Sequence, residues 1–181
     1  MRLTGGTLRS RRLPAVPKRG VRPTPARVKE SLFAILGTRV DNAVVLDLYA
    51  GSGALGFEAL SRGAEWVTFV EANGSVADRL REAATDLDVT DRSEILAMRA
   101  ERAVARLERR YDLVFVDPPY ELGFPAVPLT TLRSRNLLAD DAIIVFEHSG
   151  HESPETPGFM ETREERYGDV VVAFLRAEEN A

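Results

Sequence analysis

Two stretches of this chain carry residues whose types and spacing could do chemistry. The first is Asp117-Pro118-Pro119-Tyr120, which follows the apolar run Tyr111 to Val116. An amino group on a nucleobase is a poor nucleophile, because its lone pair is delocalised into the ring. Acceptors that hold both N–H bonds and let the nitrogen become tetrahedral can activate it. The Asp117 carboxylate and the Pro118 carbonyl supply two acceptors close together, Pro118 and Pro119 limit backbone freedom, and Tyr120 offers a ring on which a base can stack. Pro-Pro alone often merely ends a strand. The second stretch weighs against that plainer reading.

That stretch is Gly51, Gly53 and Gly56, a G-x-G-x-x-G set after the apolar run Ala43 to Leu48. Glycines at a strand-to-helix turn allow positive φ, close approach of a ligand and tight packing of helix on strand. Glu71 ends the next apolar run, 20 positions after Gly51, near the spacing expected of a carboxylate that grips ribose hydroxyls. The loop therefore reads as a site for a nucleoside-containing cofactor. Together the two stretches resemble an S-adenosylmethionine-dependent amino methyltransferase. The cofactor would lie across Asp47, Tyr49, Ala50, Gly51, Ser52 and Gly53, with Glu71 and Ala72 at its ribose. An NAD-dependent oxidoreductase would share the glycine loop and Glu71, but nothing near the sheet edge offers an acid or base for hydride transfer. A non-catalytic RNA-binding module would not need Asp117 to Tyr120.

The elements that must position these residues alternate along the chain. Thr24 and Pro25 read as the start of a helix to Leu36, with Gly37 as its stop. Strands are expected at 43–48, 66–70, 94–98, 112–116 and 142–147, with helices at 54–61, 74–84, 100–108 and, in part, 125–134. Residues 160–167 and 169–176 read as a closing hairpin that turns at Gly168, while the crossover helix is expected to be shortened or missing in the polar 148–158 stretch. Alternating βα units ending in a hairpin imply an α/β fold, a doubly wound, mostly parallel sheet of seven strands with one strand antiparallel. His148 and His151 stand beside Glu147, but one carboxylate and two histidines in a polar loop make a poor metal site, so no metal is expected and both read as surface residues.

Length, 181 residues with 44% hydrophobic and 29% charged, suits one globular core. No apolar run approaches a membrane span and the first residues lack a signal-peptide core, so a cytoplasmic location is expected. Cysteine is absent, which removes disulfides, thiolate metal sites and the cysteine nucleophile that pyrimidine C5 methylation generally uses. Direct transfer to nitrogen remains. The net charge of −4 hides an asymmetry: residues 1–39 hold ten Lys or Arg against Glu30 alone, +9, and the remainder holds 14 basic against 27 acidic residues, −13. A basic arm on an acidic body suggests a polyanion partner for the arm. Residues 1–22 read as a β-hairpin and loop that bind RNA through Arg9, Arg11, Arg12, Lys18, Arg19 and Arg22, with the cofactor domain at 23–181. On this reading the arm can be removed and the sheet still folds.

Several motifs stand in one register: Gly5-Gly6 and the basic stretch after it, Arg22-Pro23-Thr24, Arg27 to Phe33, Asp47 to Gly56, Asp117 to Tyr120, Glu147-His148 and Tyr167-Gly168-Asp169. In these the chain resembles, over nearly its whole length, the RsmD-type family of bacterial small-subunit ribosomal RNA guanine-N2 methyltransferases. The resemblance implies a Rossmann-like class I methyltransferase fold, S-adenosylmethionine as cofactor, and a monomer acting on 16S RNA in the small subunit or its assembly intermediate. The implied target is guanine 966 in standard numbering. It also implies that Asp117 to Tyr120 hold the target amine. The family often has an acid directly after the third strand. Here Arg99-Ala100-Glu101 stands there, so the adenine contact falls to the Ala100 backbone or to Glu101. The Pro-rich 153–158 loop is individual to this chain. Adenine-N6 and protein glutamine-N5 methyltransferases share the tetrapeptide, and only the resemblance disfavours them.

Overall fold

The computed structural model describes residues 1–14, 26–119 and 122–178. Thr24 and Pro25, which the sequence places at the start of the first helix, lie outside them, as do Lys18, Arg19, Arg22 and Tyr120. Seven strands form one sheet: β1 (Val44–Asp47), β2 (Trp66–Glu71), β3 (Ser93–Ala97), β4 (Tyr111–Val116), β5 (Leu138–Ser149), β6 (Phe159–Tyr167) and β7 (Val170–Ala177). Their spatial order is β3-β2-β1-β4-β5-β7-β6. All pairs from β3 to β5 are parallel, and β7 runs antiparallel to both β5 and β6. Helices α1 (Ala26–Leu36), α2 (Ala54–Ser61), α3 (Gly74–Asp86), α4 (Ala100–Val104) and α5 (Ala126–Ser134) complete the fold.

β1 is central because both its faces are apolar: Val45 and Leu46 are each fully buried, on opposite sides. The pleat divides the core accordingly. Val45, Phe69, Phe115 and Val145 pack with Val28, Phe33 and Phe57 on one face, while Leu46, Val114, Ile144 and Phe146 pack with Val104, Leu129 and Leu132 on the other. Gly168, at φ 66°, makes the turn from β6 to β7.

The expected elements are all present, with differences at their ends. α4 stops at Val104 and not at Glu108, and α3 runs on to Asp86. β5 begins at Leu138 and ends at Ser149, longer at both ends than the apolar run Ala142 to Glu147, because β4 and then β7 give its backbone partners. His148 therefore belongs to the strand. It is buried, which corrects its reading as a surface residue, whereas His151 is exposed. Residues 150–158 contain no helix.

The N-terminal hairpin consists of one antiparallel bridge, Arg2 to Arg12, closing a loop. This loop is fastened to the domain, contrary to the expectation of a removable arm. Leu3 and Leu13 are buried in the core of the first face. Glu58, in the interior of α2, accepts from the Thr4 and Gly5 N–H groups, the Thr4 hydroxyl, Arg62 Nε and Lys29 Nζ, the last at 2.8 Å. Lys29 also donates to the Arg2 carbonyl at 3.0 Å. A carboxylate with no exposure is tolerable only with such partners. Burial pushes the Glu58 carboxyl up, but the bonds from Lys29, Thr4 and Arg62 outweigh it and hold it down at about 2.

Candidate active site

The glycine loop leaves β1 at Asp47 and enters α2 at Ala54. Gly51 and Gly53 adopt left-handed backbone, φ 51° and 71°, which a Cβ resists. A Cβ on Gly56 would come within 2.2 Å of the Phe69 ring, so glycine here lets α2 lie against β2. At Gly51 the same test meets nothing within 4 Å. The loop backbone there borders open space, as a ligand cradle must.

Glu71 ends β2, and its two oxygens accept from the Gly51 N–H at 2.9 Å and the Asn73 N–H at 2.7 Å. The sequence assigned this carboxylate to a ribose alone and missed its part in holding the loop. Each carboxylate oxygen has two lone pairs, so the two tasks are compatible. Asn73 in turn caps α3, accepting from the Ser75 and Val76 N–H groups. Ala50 donates to the Val70 carbonyl at 2.9 Å and Gly53 to the Ala50 carbonyl at 2.7 Å. Ser52 is half-buried and Ala72 exposed on the same edge.

Asp47 is buried, and its Oδ2 accepts from the Gly56 N–H at 3.1 Å. Burial pushes its carboxyl up to about 7; the Gly56 bond lowers it, and the charge of Glu71 adds to the rise. Burial likewise pushes the half-buried Tyr49 hydroxyl up to about 12, with the Glu101 carboxylate adding to it. Glu101 is thus within electrostatic reach of Tyr49, exposed in the first turn of α4, while the Ala100 side chain is buried in the second face of the core.

Asp117 follows β4 directly. In the sheet register Asp47 pairs with Phe115, and Leu48 donates to the Phe115 carbonyl at 3.0 Å, so the tetrapeptide emerges beside the glycine loop. Pro118 is buried, Pro119 is exposed, and the Pro119 carbonyl accepts from Leu122 N–H at 2.9 Å. Burial raises the Asp117 carboxyl well above the usual carboxylate range, and the charges of Glu147 and then Asp47 add to it. Asp47, Asp117 and Glu147 thus converge from the ends of three adjacent strands. Of the three, Asp47 is the one bonded to the glycine loop, and a carboxylate there suits a ligand that brings positive charge. With the open cradle at Gly51 and the acid at Glu71, the donor and acceptor set fits S-adenosylmethionine.

Arg9, Arg11 and Arg12 are exposed on the N-terminal loop together with Arg2, which the sequence reading did not include. The Arg11 guanidinium also donates to the Asp86 carbonyl at the end of α3. A wider cavity, about 240 Å³, lies at the opposite edge of the sheet among Thr38, Arg39, Asp112 and Asp141, and none of the candidate residues lines it.

A parallel sheet with its last strand in sequence inserted antiparallel beside β5, and a glycine loop after β1, defines the class I methyltransferase fold. A family model described as "Conserved hypothetical protein 95" matches residues 1–176. The chain belongs to this family, the RsmD-type methyltransferase family. Among its relatives is ribosomal RNA small subunit methyltransferase D of Escherichia coli (strain K12), 37% identical over 147 residues, covering 81% of this chain and 74% of that one. The protein of the same name from Haemophilus influenzae is 34% identical over 160 residues, covering 87% of this chain and 83% of that one. The solved structure of yhhF from Escherichia coli is 35% identical and covers 99% of both chains, with a TM-score of 0.88.

Proposed function

We propose that this protein transfers a methyl group from S-adenosylmethionine to the exocyclic N2 of a guanine in small-subunit ribosomal RNA, the guanine at position 966. The observation that carries the reading is the emergence of Asp117-Pro118-Pro119 from β4 directly beside the glycine loop of β1. The names of the relatives support ribosomal RNA of the small subunit as the substrate class.

The cofactor, when bound, supplies a methyl group on a positively charged sulfonium. Glu71 holds Gly51 and the ribose; Asp47 holds the glycine loop through Gly56 and offers its carboxylate to the cationic end of the cofactor. Asp117 and the Pro118 carbonyl accept the two N–H bonds of the target amine, and the Tyr120 ring stacks on the base. This makes catalysis chiefly positioning and electrostatics. No strong base is required, because the methylated amine is acidic enough to lose its proton to Asp117 or water. The exposed arginines of the N-terminal loop grip phosphates, and the guanine leaves its stack to reach the tetrapeptide. The enzyme acts as a cytoplasmic monomer; among the described residues no helix is long and apolar enough to cross a membrane.

Tritiated methyl transfer to small-subunit particles lacking the modification, followed by nucleoside analysis, tests the reading. N2-methylguanosine at that position is the expected product. Label on adenine or on protein would overturn it.

A further inference from the structure

The tetrapeptide alone does not distinguish guanine from other amines, since adenine-N6, cytosine-N4 and glutamine-N5 can all be held by two acceptors. The neighbouring strand adds what discriminates. Val116 of β4 pairs with Phe146 of β5, so Asp117 and Glu147 occupy adjacent positions one residue further along both strands. They share a face of the sheet by the alternation of the pleat, and the charge of Glu147 is felt at Asp117. Glu147 is itself 8% exposed.

A notch of about 10 Å³ opens beside this pair, lined by Pro118, Pro119, Phe146, Glu147, His148 and Glu152. It has room for one water-sized group, which suits the edge of a base and not the whole ring. The His148 ring, 8% exposed, stacks on Phe146 at 5.1 Å between centroids. Its Nδ1 lies 2.9 Å from the Ser149 carbonyl. A carbonyl only accepts, so Nδ1 carries the hydrogen, and the alternation of the strand puts His148 with Phe146 on the face opposite Glu147. Nε2 has no partner among the described residues.

Side by side on this face, the Asp117 and Glu147 carboxylates, with the Pro118 carbonyl directly after Asp117, are all acceptors. Guanine places a ring N–H directly beside its exocyclic amine, giving a continuous edge of donors. Adenine and cytosine place a ring lone pair beside theirs, and glutamine places its carbonyl oxygen there. An acceptor-only wall attracts the first edge and repels the others, and the repulsion gives as much selectivity as the attraction.

We propose that Glu147 is a specificity-determining residue that accepts the N1–H of the target guanine while Asp117 and Pro118 hold its N2 amine. This rests on the amino-methyltransferase reading and names what selects its substrate.

The test uses the full chain and small-subunit particles reconstituted with 2-aminopurine in place of the target guanine. 2-Aminopurine keeps the amine but has a lone pair at N1. A site built to bond a substrate N–H rejects an analogue lacking it by several orders of magnitude, so wild-type kcat/KM is expected to favour guanine by about 10³-fold or more. In Glu147→Gln the carboxamide can turn its NH2 toward that lone pair, and the preference is expected to narrow by about 10²-fold while S-adenosylmethionine affinity is kept. Equal rates on the two purines with wild-type enzyme would overturn the proposal, even if the variant failed to fold. A variant with wild-type cofactor affinity and an unchanged preference would overturn it as well. If wild type leaves guanine itself unmethylated, the function proposed above has failed, and this inference with it.

Discussion

At the scale of single residues, the site asks one carboxylate to do two things in two places. Asp117 is pushed toward its protonated form by burial and by Glu147 and Asp47, and it is the stronger acceptor for an amine when ionised. Removing it by Asp117→Ala takes away one positioned acceptor and leaves the Pro118 carbonyl. We expect kcat to fall by about 10²–10³ with little change in cofactor affinity. Asp117→Asn should be milder, because an amide oxygen still accepts. Single-turnover rates on unmodified particles, with calorimetry for the cofactor, measure the two quantities; wild-type turnover in Asp117→Ala would sink the mechanism. Glu71→Ala removes the ribose acceptor together with the bonds to Gly51 and Asn73. It should weaken cofactor binding by about 1.5–3 kcal/mol. Unchanged affinity would reduce Glu71 to a surface acid.

At the scale of elements, α2 joins the two ends of the proposed function. Its first turn follows the glycine loop, and its interior Glu58 anchors the N-terminal loop through Thr4, Gly5, Lys29 and Arg62. Glu58→Ala leaves the buried Lys29 without its carboxylate, and breaking such a pair from one side typically costs about 3–5 kcal/mol. For a chain of this size that is a drop in Tm of roughly 6–20 °C, readable by differential scanning calorimetry. Lys29→Met should cost less, because Glu58 keeps its donors from Thr4, Gly5 and Arg62. A Glu58→Ala protein as stable as wild type would mean that the loop is held by Leu3 and Leu13 alone.

At the scale of the whole molecule, charge is divided between a basic loop and an acidic body, and both halves have measurable consequences. Cutting the loop away would empty the places of Leu3 and Leu13, so charge reversal is the cleaner experiment. Arg9→Glu, Arg11→Glu and Arg12→Glu together should weaken RNA binding and flatten its salt dependence by up to about 3 in log–log slope, leaving cofactor affinity intact. RNA binding with an unaltered slope would show that these arginines touch no phosphate. The acidic site sets the pH response. A folded-state Asp47 carboxyl at about 7, against an ordinary 3.8, binds a proton that the unfolded chain has released. Its contribution to stability is therefore full below about pH 4 and is lost as pH rises through about 7, and the raised Asp117 acts in the same sense. Glu58, held at about 2, has the opposite sign: its contribution is full above its ordinary value of 4.5 and is lost as pH falls toward 2. Stability of the protein alone should peak where these windows meet, near about pH 4. A cationic cofactor favours the ionised carboxylates, so its stabilising effect should grow from pH 5 to 8. Thermal melts across that range, with and without S-adenosylmethionine, would contradict this if the ligand-induced shift were flat.

The strands and helices that carry the site were legible in the chain, because a buried parallel strand must be an apolar run and a glycine turn must contain glycine. So were Asp117-Pro118-Pro119 after β4 and the acid Glu71 after β2, since each follows its strand directly in sequence. What the tertiary structure decided comes from contacts across large separations. Glu58 reads as an ordinary polar helix residue, and only the fold brings Thr4 and Lys29 to it. His148 reads as the start of a polar loop, because nothing in the local pattern says that β7 will pair with β5 that far. The first residues read as a removable basic arm, since charge dominates their composition, while the two leucines that anchor it lie 10 positions apart. Local pattern determines elements, through the backbone's need for partners and the side chains' need for burial. Which carboxylates meet, and which loop is part of the core, depends on long-range packing that no single stretch of the chain encodes.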